Sequence, residues 1–396
     1  MTNPDTSLET HTATPLAGYR VLSLAEQYPG PFATLLLSDL GADVIQLERP
    51  GGDPARRYPE FYAALNRGKR SAAVDLKHPE GVPTVAALAA RADVVLEGFR
   101  PGVLDRLGVG AEQLTAANPA LVHVSISGFG QTGPYRDRPA HDLTYQAMAG
   151  LLEDTQAARN ELPMLSLADL TAGLFAAIAA LTGLAGRAGS GGRGGRYDVS
   201  MFESLVSLMT THLVPAANGG DQGSLGQDPG YGFYATSDRR WLSLSIAFED
   251  HFWRRLCAAT GLERHAAVDG EQRVSRRVEL RAELAGVFAQ RPLADWEQVL
   301  TGSGVPFGAV QSPETLLGDP HLAGRGMLRR VPDRTDQRVY LRQPLVVDGS
   351  YPAPRSGCPR LGEHTAEALA EAGLSSEQIA ELIATGAAAV AGALAR

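Results

Sequence analysis

The chain has 396 residues, of which 44% are hydrophobic and 20% charged. That is the composition of a folded globular protein, and the length predicts two domains rather than one. The formal net charge of -8 gives no overall footprint for nucleic acid, although arginines gathered in one pocket can still hold a phosphorylated ligand. Cys257 and Cys358 are the only cysteines, too few for a disulfide framework or a thiolate metal site, so the expected setting is a reducing cytoplasm.

Residues 1–15 read as a polar, Thr-rich leader with no basic and apolar signal pattern. The first strand signal is Arg20-Val-Leu-Ser-Leu. It runs into the turn Gly30-Pro31, then a helical pattern from Phe32 to Leu40 and a second strand at Val44-Ile-Gln-Leu. The turn lacks the GxGxxG spacing of a dinucleotide fingerprint, but a helix that starts there can face an anionic ligand. Ser71 to Leu76, Asp93 to Glu97 and Leu121 to Ile126 continue as strands, with a helix from Gly81 to Ala90. Strands alternating with helices predict an α/β fold with a mainly parallel, Rossmann-like sheet and a ligand beyond the strand ends.

A helix from Thr144 to Leu152, a loop over 156–163 and a long helix from Leu170 to about Gly186 come next. The apolar stretch Leu170 to Leu184 reads as too short to span a membrane. Gly189 to Gly195 reads as a flexible turn, followed by a helix from Val199 to Leu213. The Gly- and Asn-rich stretch 216–230 reads as a linker that closes a large domain, 16–215, and opens a smaller α+β domain, 231–335. In the latter, Gly232 to Thr236 and Trp241 to Ile246 form a hairpin pattern around the turn at 237–240. Helices follow at Asp250 to Thr260, Val278 to Phe288 and Leu293 to Leu300. The segment 336–396 is assigned back to the large domain, with a capped helix start at Ser375-Ser-Glu-Gln-Ile.

Several motifs occur together and in order: Ala33 to Pro50, Asn66-Arg-Gly-Lys-Arg-Ser71, Phe99-Arg-Pro-Gly102 with Asp105-Arg-Leu-Gly108, Ser127-Gly-Phe-Gly-Gln-Thr-Gly-Pro134, and His141-Asp142. From about Leu16 to Thr365 the chain resembles the family III coenzyme A transferases, which include the alpha-methylacyl-CoA racemases. The resemblance implies an interlocked homodimer whose substrate is an acyl-CoA thioester, with coenzyme A as part of that substrate and no prosthetic group. It matches Arg49, Lys69, Arg100 and Arg106 to basic positions beside the coenzyme's phosphates, which is sound chemistry because a polyanion needs several charge-assisted donors.

The same resemblance implies that His141 is a catalytic base and Asp169 the essential carboxylate, with Glu249 as the partner that orients the histidine. An amide near Asp142, at the start of a helix, is the expected donor to the thioester oxygen as charge develops. Two bases on opposite faces imply racemization of 2-methylacyl-CoA thioesters by 1,1-proton transfer. The alternative is transfer of CoA between an acyl-CoA and a carboxylic acid through an aspartyl anhydride on Asp169. For that alternative the chain offers Gly219-Gly220 and Gly223 as the nearest equivalent of a closing Gly-rich loop. A further alternative is a CoA-thioester-binding paralogue without turnover. No His, Asp or Cys grouping has metal-ligand spacing. Neither a nucleic-acid partner nor a membrane is expected.

Overall fold

A computed structural model describes residues 14–220, 225–247, 249–333, 336–352 and 355–392. The chain divides into two compact units. The larger comprises the described residues up to Thr210 together with those from Gly326 onward, and the smaller is Thr211–Arg325. The sequence reading places the smaller domain at 231–335 and the return to the larger at 336.

Six parallel strands organise the larger unit: β1 (Arg20–Ser23), β2 (Asp43–Glu48), β3 (Arg70–Val74), β4 (Val94–Glu97), β5 (Val122–Ser127) and β6 (Gly195–Ser200). In the smaller unit β7 (Tyr231–Ala235), β8 (Trp241–Ser245) and β9 (Phe307–Ala309) form an antiparallel sheet. After Gly326 come an antiparallel pair, β10 (Leu328–Asp333) and β11 (Asp336–Leu341), and a short strand β12 (Ala388–Ala389). The seven-stranded sheet has the order β12-β3-β2-β1-β4-β5-β6. Its parallel part therefore runs 3-2-1-4-5-6, the Rossmann order, and a ligand crevice is expected where the order reverses, at the carboxyl ends of β1 and β4.

Residues of β1 to β5 are buried on both faces because helices cover both sides. On one side the Leu167–Gly186 helix packs on Val122, Val124 and Ile126 through Ala172, Ala176, Ala177 and Ala180. Its small residues permit close approach: a Cβ on Gly173 would sit 2.8 Å from the Pro29 carbonyl oxygen, and one on Gly183 2.5 Å from Val122. This contact seats the first turn of the helix, which carries Asp169, beside the turn after β1. The helix has 20 residues and is apolar enough to cross a membrane, longer than the sequence stretch suggested. Here its alanine face lies in the core of the larger unit.

Two local readings are corrected. The Gly-rich turn leads into strand β6, and the helix expected over Val199 to Leu213 starts at Met201 and comes as two pieces, Met201–Leu208 and Thr210–Ala217. The alternation Arg196, Tyr197, Asp198, Val199 at a sheet edge, with polar residues outward, is a strand signal of period two. The loop over 156–163 contains a short helix, Asp154–Ala158. Gly223 lies outside the described residues. The hairpin and the Asp250–Thr260 helix stand as read, and Ser375 caps the Ser376–Ala384 helix through a capping box with Gln378. The C-terminal segment returns to the large sheet, where the Thr365 hydroxyl accepts from the Ala73 amide (3.0 Å) and donates to Ala389 (2.7 Å).

Candidate active site

A cleft of about 600 Å³ opens at the reversal of strand order. Its walls are segments 25–30 after β1, 98–101 after β4, 126–128 at the end of β5 and 136–142, with Thr144, Tyr145, Asp169 and Met201. The turn after β1 is held in an uncommon conformation: Gln27 has φ 69°, and its amide donates to Asp53 Oδ2 at 2.9 Å. A non-glycine residue in the left-handed region is strained, and here it shapes a cleft wall.

His141 occupies the N-cap position of the Asp142–Met148 helix without capping it through its side chain. Its carbonyl accepts from the amides of Thr144 (2.8 Å) and Tyr145 (3.2 Å), which fixes the backbone and leaves the imidazole on the cleft wall. The Tyr145 hydroxyl donates to the Ala140 carbonyl (3.3 Å) and packs against Gly128, where a Cβ would come within 2.2 Å of it. Thus the glycine of Ser127-Gly-Phe-Gly is required by the ring that braces the His141 segment.

Asp142 ties this segment to the long helix. Its Oδ1 accepts from the amides of Ala168 (2.7 Å) and Asp169 (3.4 Å), and its Oδ2 from Gln146 Nε2 (2.6 Å). The carboxylate supplies the cap that Ser166 does not provide, from a residue distant in sequence. The sequence reading placed Asp142 at the CoA thioester, through an amide at the helix start. In the structure its side chain is engaged in joining the two helices that carry His141 and Asp169.

This arrangement sets the acidity of Asp169. A carboxylate in the first turn of a helix is ordinarily favoured by the orphan amides, but those of Ala168 and Asp169 already donate to Asp142. Burial, and then the Asp142 charge, push the Asp169 carboxyl up to about 7. Its oxygens have no hydrogen-bond donor among the described residues. Burial and the Asp169 charge likewise raise Tyr145, and burial with the charges of Asp169 and Asp142 raises Tyr28.

The basic residues separate into three groups. Arg100 lines the cleft, and so do Arg136 and Arg138, which the sequence reading missed. Arg106 is exposed just outside, and its guanidinium flanks Gly102 together with that of Arg136: a Cβ on Gly102 would meet them at 3.3 Å and 3.1 Å. Arg49 is exposed and donates to the Gly52 carbonyl (2.9 Å), with Glu26 of the cleft wall 3.7 Å away. Lys69 departs most from expectation. It is 2% exposed, donates to the Pro31 carbonyl (2.9 Å) and Asn66 Oδ1 (2.8 Å), and burial lowers its pKa to about 7. The ammonium braces the start of the Pro29–Asp39 helix and lies off the cleft wall, so a phosphate contact by Lys69 is not what this structure presents.

Glu249 belongs to the smaller unit, at the N-cap position of the Asp250–Thr260 helix, and its Oε2 accepts from the Ala247 amide at 3.0 Å. The smaller unit also gathers His265, Glu279 and Glu283 within metal-ligand reach of one another, which sequence spacing did not reveal. Arg264 pairs with Glu283 and Arg276 with Glu279, so the two carboxylates are already neutralised by arginines.

A parallel sheet in Rossmann order, with a cleft of acidic and basic residues at its switch point and no GxGxxG spacing in the turn after β1, defines a doubly wound α/β protein whose candidate site lies in the crevice such sheets use. The chain belongs to CoA-transferase family III, whose model matches residues 16–365. An acyl-CoA transferase of Fusarium pseudograminearum is 35% identical over 92% of this chain and 86% of its own. The alpha-methylacyl-CoA racemase of Mus musculus is 33% identical over 93% and 96%. Among solved structures, Rv3272 from Mycobacterium tuberculosis superposes with a TM-score of 0.82 at 29% identity, covering 90% of this chain and 99% of that one. The chain is thus an enzyme, of a family whose members are named both as CoA-transferases and as an acyl-CoA racemase.

Proposed function

We propose that the cleft holds a 2-methylacyl-CoA thioester and inverts its α-carbon by 1,1-proton transfer between His141 and Asp169. The observation that carries this reading is the Asp169 carboxyl, raised to about 7 in a cleft it shares with a histidine. A group that must take and return a proton works best with a pKa near the working pH, whereas a nucleophilic carboxylate must be ionised. One base removes the α-proton, the electron pair moves onto the thioester oxygen, and the other returns a proton to the opposite face. Orphan amides of the Asp142–Met148 helix are the proposed donors to that oxygen. Arg100, Arg106 and Arg136 are the proposed contacts of the coenzyme's phosphates, and Arg49 the more distant one.

The resemblance to transferases favours a second reading. Asp169 attacks the thioester carbonyl, the C–S bond breaks, CoA leaves as thiolate and an acyl-aspartyl anhydride remains for exchange with an acceptor acid. In both readings the working form is a homodimer in which Glu249 orients the partner's His141. The exposed Leu174, Phe175 and Ile178 on the Leu167–Gly186 helix support such a subunit contact.

A panel of pure 2-methylacyl-CoA thioesters in deuterated water, with no second acid, separates the two. Racemization incorporates α-deuterium and erases optical purity, and His141→Ala reduces exchange by about a hundredfold or more. Absence of exchange across the panel, with CoA moving only when an acceptor acid is added and a hydroxylamine-trappable acyl group on Asp169, establishes the transferase instead.

A further inference from the structure

Behind the cleft, on the other side of Arg100, lies a second cavity of about 270 Å³ lined by Glu97, Asp105, His123, Ser125, Arg196 and Asp198. Arg100 borders both cavities. Glu97, the last residue of β4, is 6% exposed, and its Oε2 accepts from the Phe99 amide at 2.8 Å. The Ser125 hydroxyl bonds to it as well, and the same oxygen lies 3.4 Å from Nδ1 of His123. His123 is 2% exposed, and its Nε2 has no partner among the described residues.

A buried carboxyl normally pairs with a cation, because taking a charge out of water is otherwise costly. Glu97 has no ion pair among the described residues, although Arg100 and Arg196 line the same cavity. One of its bonds goes to the turn that begins one residue later and the other to Ser125 of β5. That turn, 98–101, is a wall of the cleft and presents Arg100.

We infer that Glu97 is a positioning residue for Arg100: through Phe99 and Ser125 it anchors the 98–101 turn to β4 and β5, and so sets how the guanidinium meets the phosphates of the ligand. This rests on the reading of the cleft as a CoA-thioester site. The anchor is sensitive to protons. Burial raises the Glu97 carboxyl to about 7, with Asp105 and Asp198 adding to the rise, while the bonds from Ser125 and Phe99 oppose it. His123 is pushed down to about 4 by its burial and stays neutral through this range. Above about 7 the anion holds the Phe99 amide by a charge-assisted bond; as pH falls through that value the carboxyl takes up a proton and the bond weakens.

The test compares wild type with Glu97→Gln, whose amide oxygen still accepts from Phe99 but cannot ionise. Desulfo-coenzyme A is titrated calorimetrically against each between pH 6 and 8. The ratio of the two dissociation constants cancels the ligand's own titration, and it should change by about fivefold over that range in favour of wild type at high pH. A flat ratio overturns the inference, and a purely structural role for Glu97 would lower Tm without giving the ratio a slope. Hydrogen exchange at the Phe99 amide in ligand-free protein gives a second reading: wild-type protection, relative to Glu97→Gln, should rise from pH 6 to 8, and equal protection in both proteins overturns the anchor. If wild type fails to bind desulfo-coenzyme A, the CoA-site reading falls, while the Phe99 measurement still decides whether Glu97 holds the turn.

Discussion

Arg273 in the smaller unit and Asp169 in the larger are both charges withdrawn from water, yet they are treated oppositely. Arg273 is fully buried, and donates to Asp228 Oδ2 (2.9 Å), Asp250 Oδ1 (2.6 Å) and the Val268 carbonyl (3.2 Å). Asp169 has no donor among the described residues and faces the Asp142 charge instead. Compensated charge secures a fold, whereas uncompensated charge in a cleft shifts a pKa toward the working range of an acid or base and marks a site of chemistry.

That contrast is sharpest under substitution. Asp169→Asn should lower turnover of the accepted thioester by about a thousandfold, measured as initial rate. The same variant should be more stable than wild type at pH 8. The folded carboxyl titrates near 7 and the unfolded one in the ordinary range near 4, so between these values the native state holds a proton that the unfolded state releases. Stability therefore falls as pH rises through that window, and the cost is fully present above 7. Removing it should gain on the order of 2–4 kcal/mol at pH 8 and nothing near pH 4, by urea unfolding.

Arg273→Ala should do the reverse. It strands the buried Asp228 and should destabilise the protein by about 3–5 kcal/mol at neutral pH, with the loss confined to unfolding of the smaller unit. Smallest in stability is Asp142→Ala, which removes the cap of the Leu167–Gly186 helix for about 1 kcal/mol. Its more telling effect is on acidity. With the neighbouring anion gone and the amides of Ala168 and Asp169 freed, the pH profile governed by Asp169 should move toward lower pH.

Strands β1 to β5 were legible because short segments rich in Val, Leu, Ile or Ala, such as Val94-Val-Leu and Val44-Ile-Gln-Leu, alternate with helical patterns, as the strands of a parallel sheet do. Strand β6 was hidden by the Gly-rich turn before it and by Val199, which reads equally well as the first apolar residue of a helix. The family motifs pointed to Asp169 and His141, and the structure places both on the wall of one cleft. What joins them was not legible, since Asp142 caps a helix that starts a full loop later in the chain, a contact set by packing rather than by local pattern. Lys69 misled for the same reason. A lysine among Asn, Arg and Gly looks solvent-facing, yet the first turn of the Pro29–Asp39 helix covers it. Arg136 and Arg138 follow the motif ending at Pro134, where a basic pair just before His141 was the available signal. Glu97 carried none beyond its place at a strand end.

The central claim is that Asp169 is an uncompensated carboxyl with a pKa near neutrality. It is tested most directly by titrating the protein with aspartate labelled at the side-chain carbon, assigning the Asp169 carbon-13 resonance by its absence in Asp169→Asn. The account predicts a midpoint near 7 that falls in Asp142→Ala; a midpoint at or below about 4, unmoved by that substitution, contradicts it.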